Sequence, residues 1–513
     1  MRRNLLICLI CFASVIYANY ASACANYGSA EALYVGATGY DSNPGTIDRP
    51  FASIQYALRK LKAGDTLYIR AGTYAQAFSD EVLVKGTESQ PITITSYPGE
   101  KPVIASIILE AGSQYVKITR LTFDGSLSTN PDCIKIENND TGTSHHIEIS
   151  YNEVKNARMQ GMLIGGEDYT VIANHIHSSG SHRAGGHGIY CWGRRWTISN
   201  NVITDNAAFG IQCWPALADS IISHNTIVAN GSSGIALCSK MPEADYYGSA
   251  MPAISSNNLF VNNIFAYHTN TVWSYQAGCA IFTYWGSETG SNNIMRNNIA
   301  YGNVSGDLTC RGGFSGITVE VDNIVADPLF KTKGPDAPDV TSTAGPDGSG
   351  YYVIDIPPRN RDALRDLHLL PSSPAIDAAT NISVVSDKDG TSRPQGAGYD
   401  IGAYEYTGAT PPDTILWSVS ITSPSSGSTV SGLVTISANA SASTGVVGIQ
   451  FQLDGEDIEA EDITSPYSIT WNAATASNGS HTLTAVARDT LGNRVASPSI
   501  TVIVAPVTSI IPN

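Results

Sequence analysis

Residues 175–198, HIHSSGSHRAGGHGIYCWGRRWTI, gather the side chains best suited to moving protons and holding a carboxylate. His175, His177, His182, Arg183, His187, Tyr190, Arg194 and Arg195 all fall there. Half of the ten histidines lie between His175 and His224, in a chain with 29 basic residues against 45 acidic ones. The stretch that follows adds Asp205, Gln212 and Trp214; the one before adds Lys155, Arg158 and Glu167. Breaking a glycosidic bond beside a sugar carboxylate by β-elimination needs three groups of this kind. A cation must neutralise the carboxylate so that the proton on the adjacent carbon becomes acidic, and the planar fork of Arg does this with two hydrogen bonds. A base must take that proton, and imidazole titrates near neutral pH. A hydroxyl must protonate the departing oxygen. On this reading His187 is the base, Tyr190 the acid and Arg194 or Arg195 the neutraliser. His182, Arg183, Asp205, Gln212 and Trp214 then contact the substrate. A plainer role competes: His and Arg in a long turn also satisfy backbone carbonyls or cover a neighbouring loop.

A repeat would position these groups. Asn152, Asn174, Asn201, Asn225, Asn263 and Asn298 each close the same short phrase, as in IEISYNEV and WTISNNVI. A second phrase begins at Gly161, Gly188, Gly210 and Gly234. Subtraction of residue numbers spaces the asparagines by 22, 27, 24, 38 and 35. A unit recurring at that period signals a solenoid. Each unit holds short β-rich runs between Gly, Asn or Ser turns and no helical periodicity, so the expected fold is an all-β parallel β-helix. Asn tolerates a left-handed turn, and stacked asparagines can hydrogen-bond from coil to coil. Strand alternation sets the facing of the cluster: with Ile189 and Cys191 inward, Tyr190 points outward.

The ends of the repeat are marked as well. ALYVGATGYDSNPGTIDRPFASIQYALRKLKAGDTLYIRAGTY reads as a strand, a turn cluster, a helix with Phe51, Ile54, Leu58 and Leu61 on one face, and a strand from Thr66 to Arg70. A helix there would cover the first coil's exposed edges. Coils are expected from about Leu83 to Leu329, followed by LHLLPSSPAIDAA and DKDGTSRPQGAGYDIGAYEY. From Leu33 to Tyr406 the chain resembles secreted right-handed β-helix proteins of the pectate-lyase-like group, with the last two phrases like their C-terminal end. That resemblance implies a right-handed helix capped by an N-terminal helix and says little of the substrate; the expectation of an acidic polysaccharide as partner rests on the His, Arg and Tyr cluster. Members that cleave pectate hold calcium with aspartates on successive coils, commonly as Asp-Asp-Gly, and use a Lys or Arg base. Here Asp132, Asp140, Asp168 and Asp205 are scattered, so no cofactor is expected and calcium has no ligand motif behind it. Polygalacturonases carry Gly-His-Gly, matched by Gly186, His187 and Gly188, but the carboxylates an inverting hydrolase needs are not found.

The rest of the chain divides into a signal peptide at 1–25, the β-helix at 31–406, a Pro/Gly/Thr linker at 407–415 and, at 416–506, alternating strands similar to bacterial immunoglobulin-like modules. Trp471 and Tyr467 are expected in the core of that β-sandwich. Arg2 and Arg3, an apolar run and Ala21-Ser22-Ala23 suit export, so the protein is expected to be secreted or held at the cell surface. Cys24 loosely resembles a lipidation site. No later segment is long and apolar enough to cross a bilayer, and a net charge of −16 argues against nucleic acid. Cys191 and Cys213 fall one coil apart, as a disulfide or as a small apolar ladder. Three functions therefore compete: a lyase or epimerase of acidic polysaccharides, then a non-catalytic stalk attached to a surface through its C-terminal domain, and third a glycoside hydrolase of polygalacturonase type.

Overall fold

The computed structural model describes residues 30–506, except 77, 137–141, 181–185, 239–253, 270–277, 285–289, 309–315, 335–342, 345–351, 354–364, 409–417, 442–445 and 490–493. It divides into two compact units, Met1–Gly408 and Ala409–Asn513.

The first unit is a right-handed parallel β-helix with three walls. Wall 1 runs through Ile107–Leu109, Ile134–Ile136, Met162–Glu167, Ile189–Arg194, Ile211–Ala218, Ile235–Cys238 and Ile281–Tyr284. Wall 2 runs from Ala32–Val35 through Thr197–Ser199 to Ile317–Val319. The two walls join where His145 pairs with Glu167, making one sheet of 18 strands. Wall 3, with nine strands, runs from Thr73–Tyr74 through His175–His177 to Ile299–Tyr301. Ile, Val and Leu from alternate positions on all three walls point inward and form one continuous core, as the period-2 pattern requires.

The corner between walls 2 and 3 has constant length. Two residues separate the strands from Ser150–Glu153 through Arg296–Ile299, and the second is always one of the six asparagines. The left-handed residue is not that asparagine, contrary to expectation, but the one before it: Tyr151, Ala173, Asn200, His224, Asn262 or Asn297. The asparagines themselves form a ladder. The Nδ2 of Asn201 donates to Oδ1 of Asn225 at 2.9 Å and to the carbonyl of Val171 at 2.9 Å. The same links run from Asn152 to Asn323. These groups are buried, so the ladder satisfies polar atoms that would otherwise be costly to bury.

The solenoid begins earlier than its sequence suggests. Ala32–Val35 and Thr66–Ile69 are already parallel rungs of wall 2. The helix is short, Ile54–Leu58, with Ser53 accepting the Tyr56 amide as its N-cap. It buries Phe51, Ile54 and Leu58 against the first coil.

The segment after the coils lies on a flank instead of serving as the expected end. Phe330, Leu367, Leu369, Ala375, Ile401 and Ala403 pack on Val202, Val228, Ile264 and Ile299, on the outer face of wall 3. The corner asparagines tie it down: Asn200, Asn262 and Asn297 donate to the carbonyls of Ser386, Thr380 and Ala378, each at 2.8 Å. In each Asn-Asn pair the first side chain thus holds the flank and the second the ladder. Within the segment Arg393 donates to Glu405 at 2.8 Å, both side chains being fully buried. Asp387 accepts the amides of Asp389 and Thr391 in a turn.

The second unit is a β-sandwich. One sheet pairs Leu433–Ser441 with Ser418–Ser423 and Ser468–Asn472; the other is built around Gly479–Asp489. Trp471 and Tyr467 are buried in its core as expected.

Candidate functional site

From the Gln114–Thr119 strand onward, chain length varies only in the connections that enter and leave wall 1. Between the ends of its strands and the neighbouring walls lie 178–188, 239–258, 267–280 and 285–292, whereas the asparagine corner never changes. Solenoids carry their function where such extra segments gather, so wall 1 is the candidate site. Met162, Ile164, Ile189, Cys191, Ile211 and Cys213 point inward. The opposite face therefore carries Lys135, Leu163, Tyr190 and Gln212, one per coil and paired in register. All four are half-buried, and Ala236 and Phe282 continue the row, both buried. Tyr190 faces outward as expected, with its ring edge-on to Trp192 at 6.0 Å. The Trp192 indole lies over Gly165, where a Cβ would collide with the ring. Trp214 packs with Phe209, Ala236, Cys238, Cys279 and Phe282 at the far end of the row.

His187 sits at the edge of this row, but its ring is committed to the backbone. The Asp132 carboxylate accepts the amide of Gln160 at 3.0 Å, and Gln160 Oε1 accepts the amide of His187 at 2.9 Å. His187 Nδ1 in turn accepts the amide of Phe209 at 3.1 Å. Each residue thus caps its equivalent one coil on, forming a second ladder at the start of wall 1. The glycines that follow let the coils approach: a Cβ on Gly188 would lie 2.7 Å from the Gly210 carbonyl oxygen. With Nδ1 accepting, the proton of the neutral ring is on Nε2, and the Gln212 side chain lies near enough to favour the charged form. The ring is 3 % exposed and stacks on Phe209 at 5.3 Å. Burial pushes its pKa down to about 3 despite the Gln212 side chain. The expected base is therefore a neutral rung whose lone pair is already used, which takes His187 out of that role.

The other expected residues divide. Gln212 and Tyr190 share the outer face with His187 at its margin, the Tyr190 ring lying 5.9 Å from the imidazole. Arg194 and Arg195 stand at the corner between walls 1 and 2. Arg195 makes two bonds to Asp168, at 2.7 and 2.9 Å, and one to Glu167 at 2.6 Å; Arg194 lies 3.3 Å from Glu167. They flank the row rather than line it. Asp205 is displaced altogether: it forms a buried ion pair with Arg365 at 2.7 Å, under the flank segment on wall 3. The expectation that it contacts substrate is corrected by that pairing. His175, His177 and Lys155 also belong to wall 3, around Glu153. His182 and Arg183 lie outside the described residues.

Lys135 was missed by sequence reasoning because it stands two coils before the histidine cluster and outside its motif. Aligning the coils by their inward apolar residues, with Cys133 in the place of Gly161 and Gly188, would have found it, since Lys135 and Tyr190 occupy one register position. Among the described residues no group of three His, Cys, Asp or Glu side chains is arranged to hold a metal ion. Asp132, Asp168 and Asp205 are engaged as above, and Asp140 lies outside the described residues. Cys191 and Cys213 are free, with sulfurs 3.8 Å apart in the core. No helix among these residues is long and apolar enough to cross a membrane.

Comparison with known proteins matches residues 33–308 to a family model described as "Pel9A-like, right handed beta helix region" and residues 418–485 to one described as "Bacterial Ig domain". The uncharacterized protein YwoF of Bacillus subtilis is 31% identical over 140 residues, 25% of this chain and 29% of its own length. Pectate lyase PEL9 of Emericella nidulans is 40% identical over 72 residues, 14% of this chain and 18% of its own. The chain spans less than a third of the length of the curated relatives it matches. The crystal structure of pectate lyase Pel9A aligns with 74% of this chain and 97% of its own, at 16% identity and a TM-score of 0.40.

Proposed function

The chain belongs to the Pel9A-like right-handed β-helix family, and from that premise we propose that it is an exported, carbohydrate-active protein that cleaves or epimerises an acidic polysaccharide. The observation that carries this reading is the row Lys135, Leu163, Tyr190 and Gln212, in register on the wall whose connections vary most in length. Successive rungs lie about 4.8 Å apart, so a polymer laid along the axis meets the same wall at every step. The name of the PEL9 relative, a pectate lyase, supports an acidic substrate. Tyr190 is assigned both proton transfers, its oxygen taking the proton from the carbon beside the carboxylate as its own hydroxyl proton passes to the leaving oxygen, with Gln212 orienting the sugar and Arg194 at the corner neutralising the carboxylate. Export rests on the N-terminal sequence, and the C-terminal sandwich would serve attachment.

A second reading is favoured by one observation: His187 and Arg195 are spent on holding the coils together. A stalk without catalysis would use them in the same way. Incubating the full chain with pectate, alginate and glycosaminoglycans, and following absorbance of the unsaturated product, separates the two. The enzyme reading expects product on at least one polyuronide, with kcat lowered roughly 10²-fold or more in Tyr190→Phe and KM little changed. Absence of both unsaturated product and new reducing ends on every polymer would favour the stalk.

A further inference from the structure

Along wall 1 the outward row changes character at one place. Ile108, Lys135, Leu163, Tyr190 and Gln212 stand on consecutive rungs, paired in register, and each keeps part of its surface exposed. The next two members, Ala236 and Phe282, are 0% and 7% exposed. Neighbouring side chains account for the change. Phe209 and Phe282 belong to coils two rungs, about 10 Å, apart. Their rings nevertheless stack, with centroids 6.3 Å apart and an interplanar angle of 14°. They lean toward each other over Ala236, whose methyl leaves them the room, and all three pack in one apolar cluster with Cys238 and Cys279. The His187 ring holds Phe209 from the other side at 5.3 Å. Trp214, half-buried on the Gln212 strand, packs against the same cluster.

A polymer can lie only on side chains that keep exposed surface. We infer that the trough is open toward Ile108 and closed just past Gln212, so that the protein takes its polysaccharide by one end and removes short units from it, with Phe282 and Trp214 setting their length. The inference rests on the reading of wall 1 as a polysaccharide trough and adds where that trough stops. Gln212 is one rung from Tyr190, and a pyranose unit spans about one rung. Room therefore remains for about one or two sugar units between a bond over Tyr190 and the aromatic end wall. The exposed part of the Trp214 indole gives the last unit an apolar ring to rest on. Phe282 and Trp214 take no part in the proton transfers assigned to Tyr190; they decide which bond is brought to it.

The test follows viscosity and product size against absorbance while the full chain acts on pectate, alginate and glycosaminoglycans. Each elimination moves one proton from the carbon beside the carboxylate to the departing oxygen and leaves one double bond, so absorbance counts the bonds broken wherever they lie. A closed end should give only short products from the first time point, with viscosity nearly unchanged at low conversion. Phe282→Ala should open the end, so that longer products appear and viscosity falls severalfold faster per bond broken. If its melting temperature shows that Phe282→Ala does not fold, Trp214→Ala, at a partly exposed position, should lengthen the products in the same way. A broad ladder of oligomers and an early loss of viscosity from the parent would refute the closed end and leave the polysaccharide reading standing. An unchanged product pattern in a folded variant would refute it too. Absence of product on all three polymers would bring down the enzyme reading, and this inference with it.

Discussion

A histidine between two glycines invites a catalytic assignment, and the residue types around His187 gave every reason for one. What the sequence could not convey is that the fold already uses the lone pair a base would need: Nδ1 takes the Phe209 amide, and burial holds the ring neutral. His187→Ala should therefore behave as a structural change. It leaves a buried N–H without a partner, at a cost of about 1–3 kcal/mol, read as a lower melting temperature. Any activity should show no limb near pH 6–7 assignable to this ring, because its pKa of about 3 keeps it neutral over the whole range. A limb that disappears in the variant would restore it as the base. Tyr190, in contrast, was correctly oriented from strand alternation alone, since Ile189 and Cys191 could only face the core.

Among the elements, the asparagine ladder was the part most legible beforehand. Six like residues in one phrase can share one position only if the coils stack. Its corner geometry was less so, because Asn200 and Asn201 are chemically identical while one holds the flank and the other the ladder. Asn201→Ala should be among the most damaging single changes. It removes the acceptor of the buried Asn174 backbone amide and side chain and the side-chain donor to Asn225 and Val171, and about 3 kcal/mol or more should be lost in denaturant titration. Asn323→Ala, at the half-buried last position, should cost clearly less. Equal losses at the two positions would mean that the ladder is not what sets coil stability.

At the scale of the whole β-helix, the flank segment decides which wall stays available. Nothing in its Pro- and Gly-rich sequence indicates a side rather than an end, because the hydrogen bonds that place it reach residues 81, 118 and 186 positions away. Its charges make its attachment testable. Burial opposes the charge on His368, but bonds to Asp366 at 2.6 Å and Asp389 at 3.0 Å outweigh it and push the pKa up to about 9. A group raised in the fold stabilises fully below its unfolded value, about 6.5, and that contribution fades as pH climbs through 9. Melting temperature should fall over that window in the parent and stay flatter in His368→Asn. Arg393→Ala, which strands the buried Glu405 carboxylate, should cost about 3–5 kcal/mol and expose residues 366–406 to limited proteolysis. The constant two-residue corner has a consequence for how such a molecule can change. Insertions within the asparagine run would break the ladder, but at the ends of the wall 1 strands the chain carries connections as long as 20 residues, 239–258. The architecture is a chassis with one serviceable side: its specificity can be rewritten by swapping segments around Lys135, Tyr190 and Gln212, with the spine of asparagines left as it is.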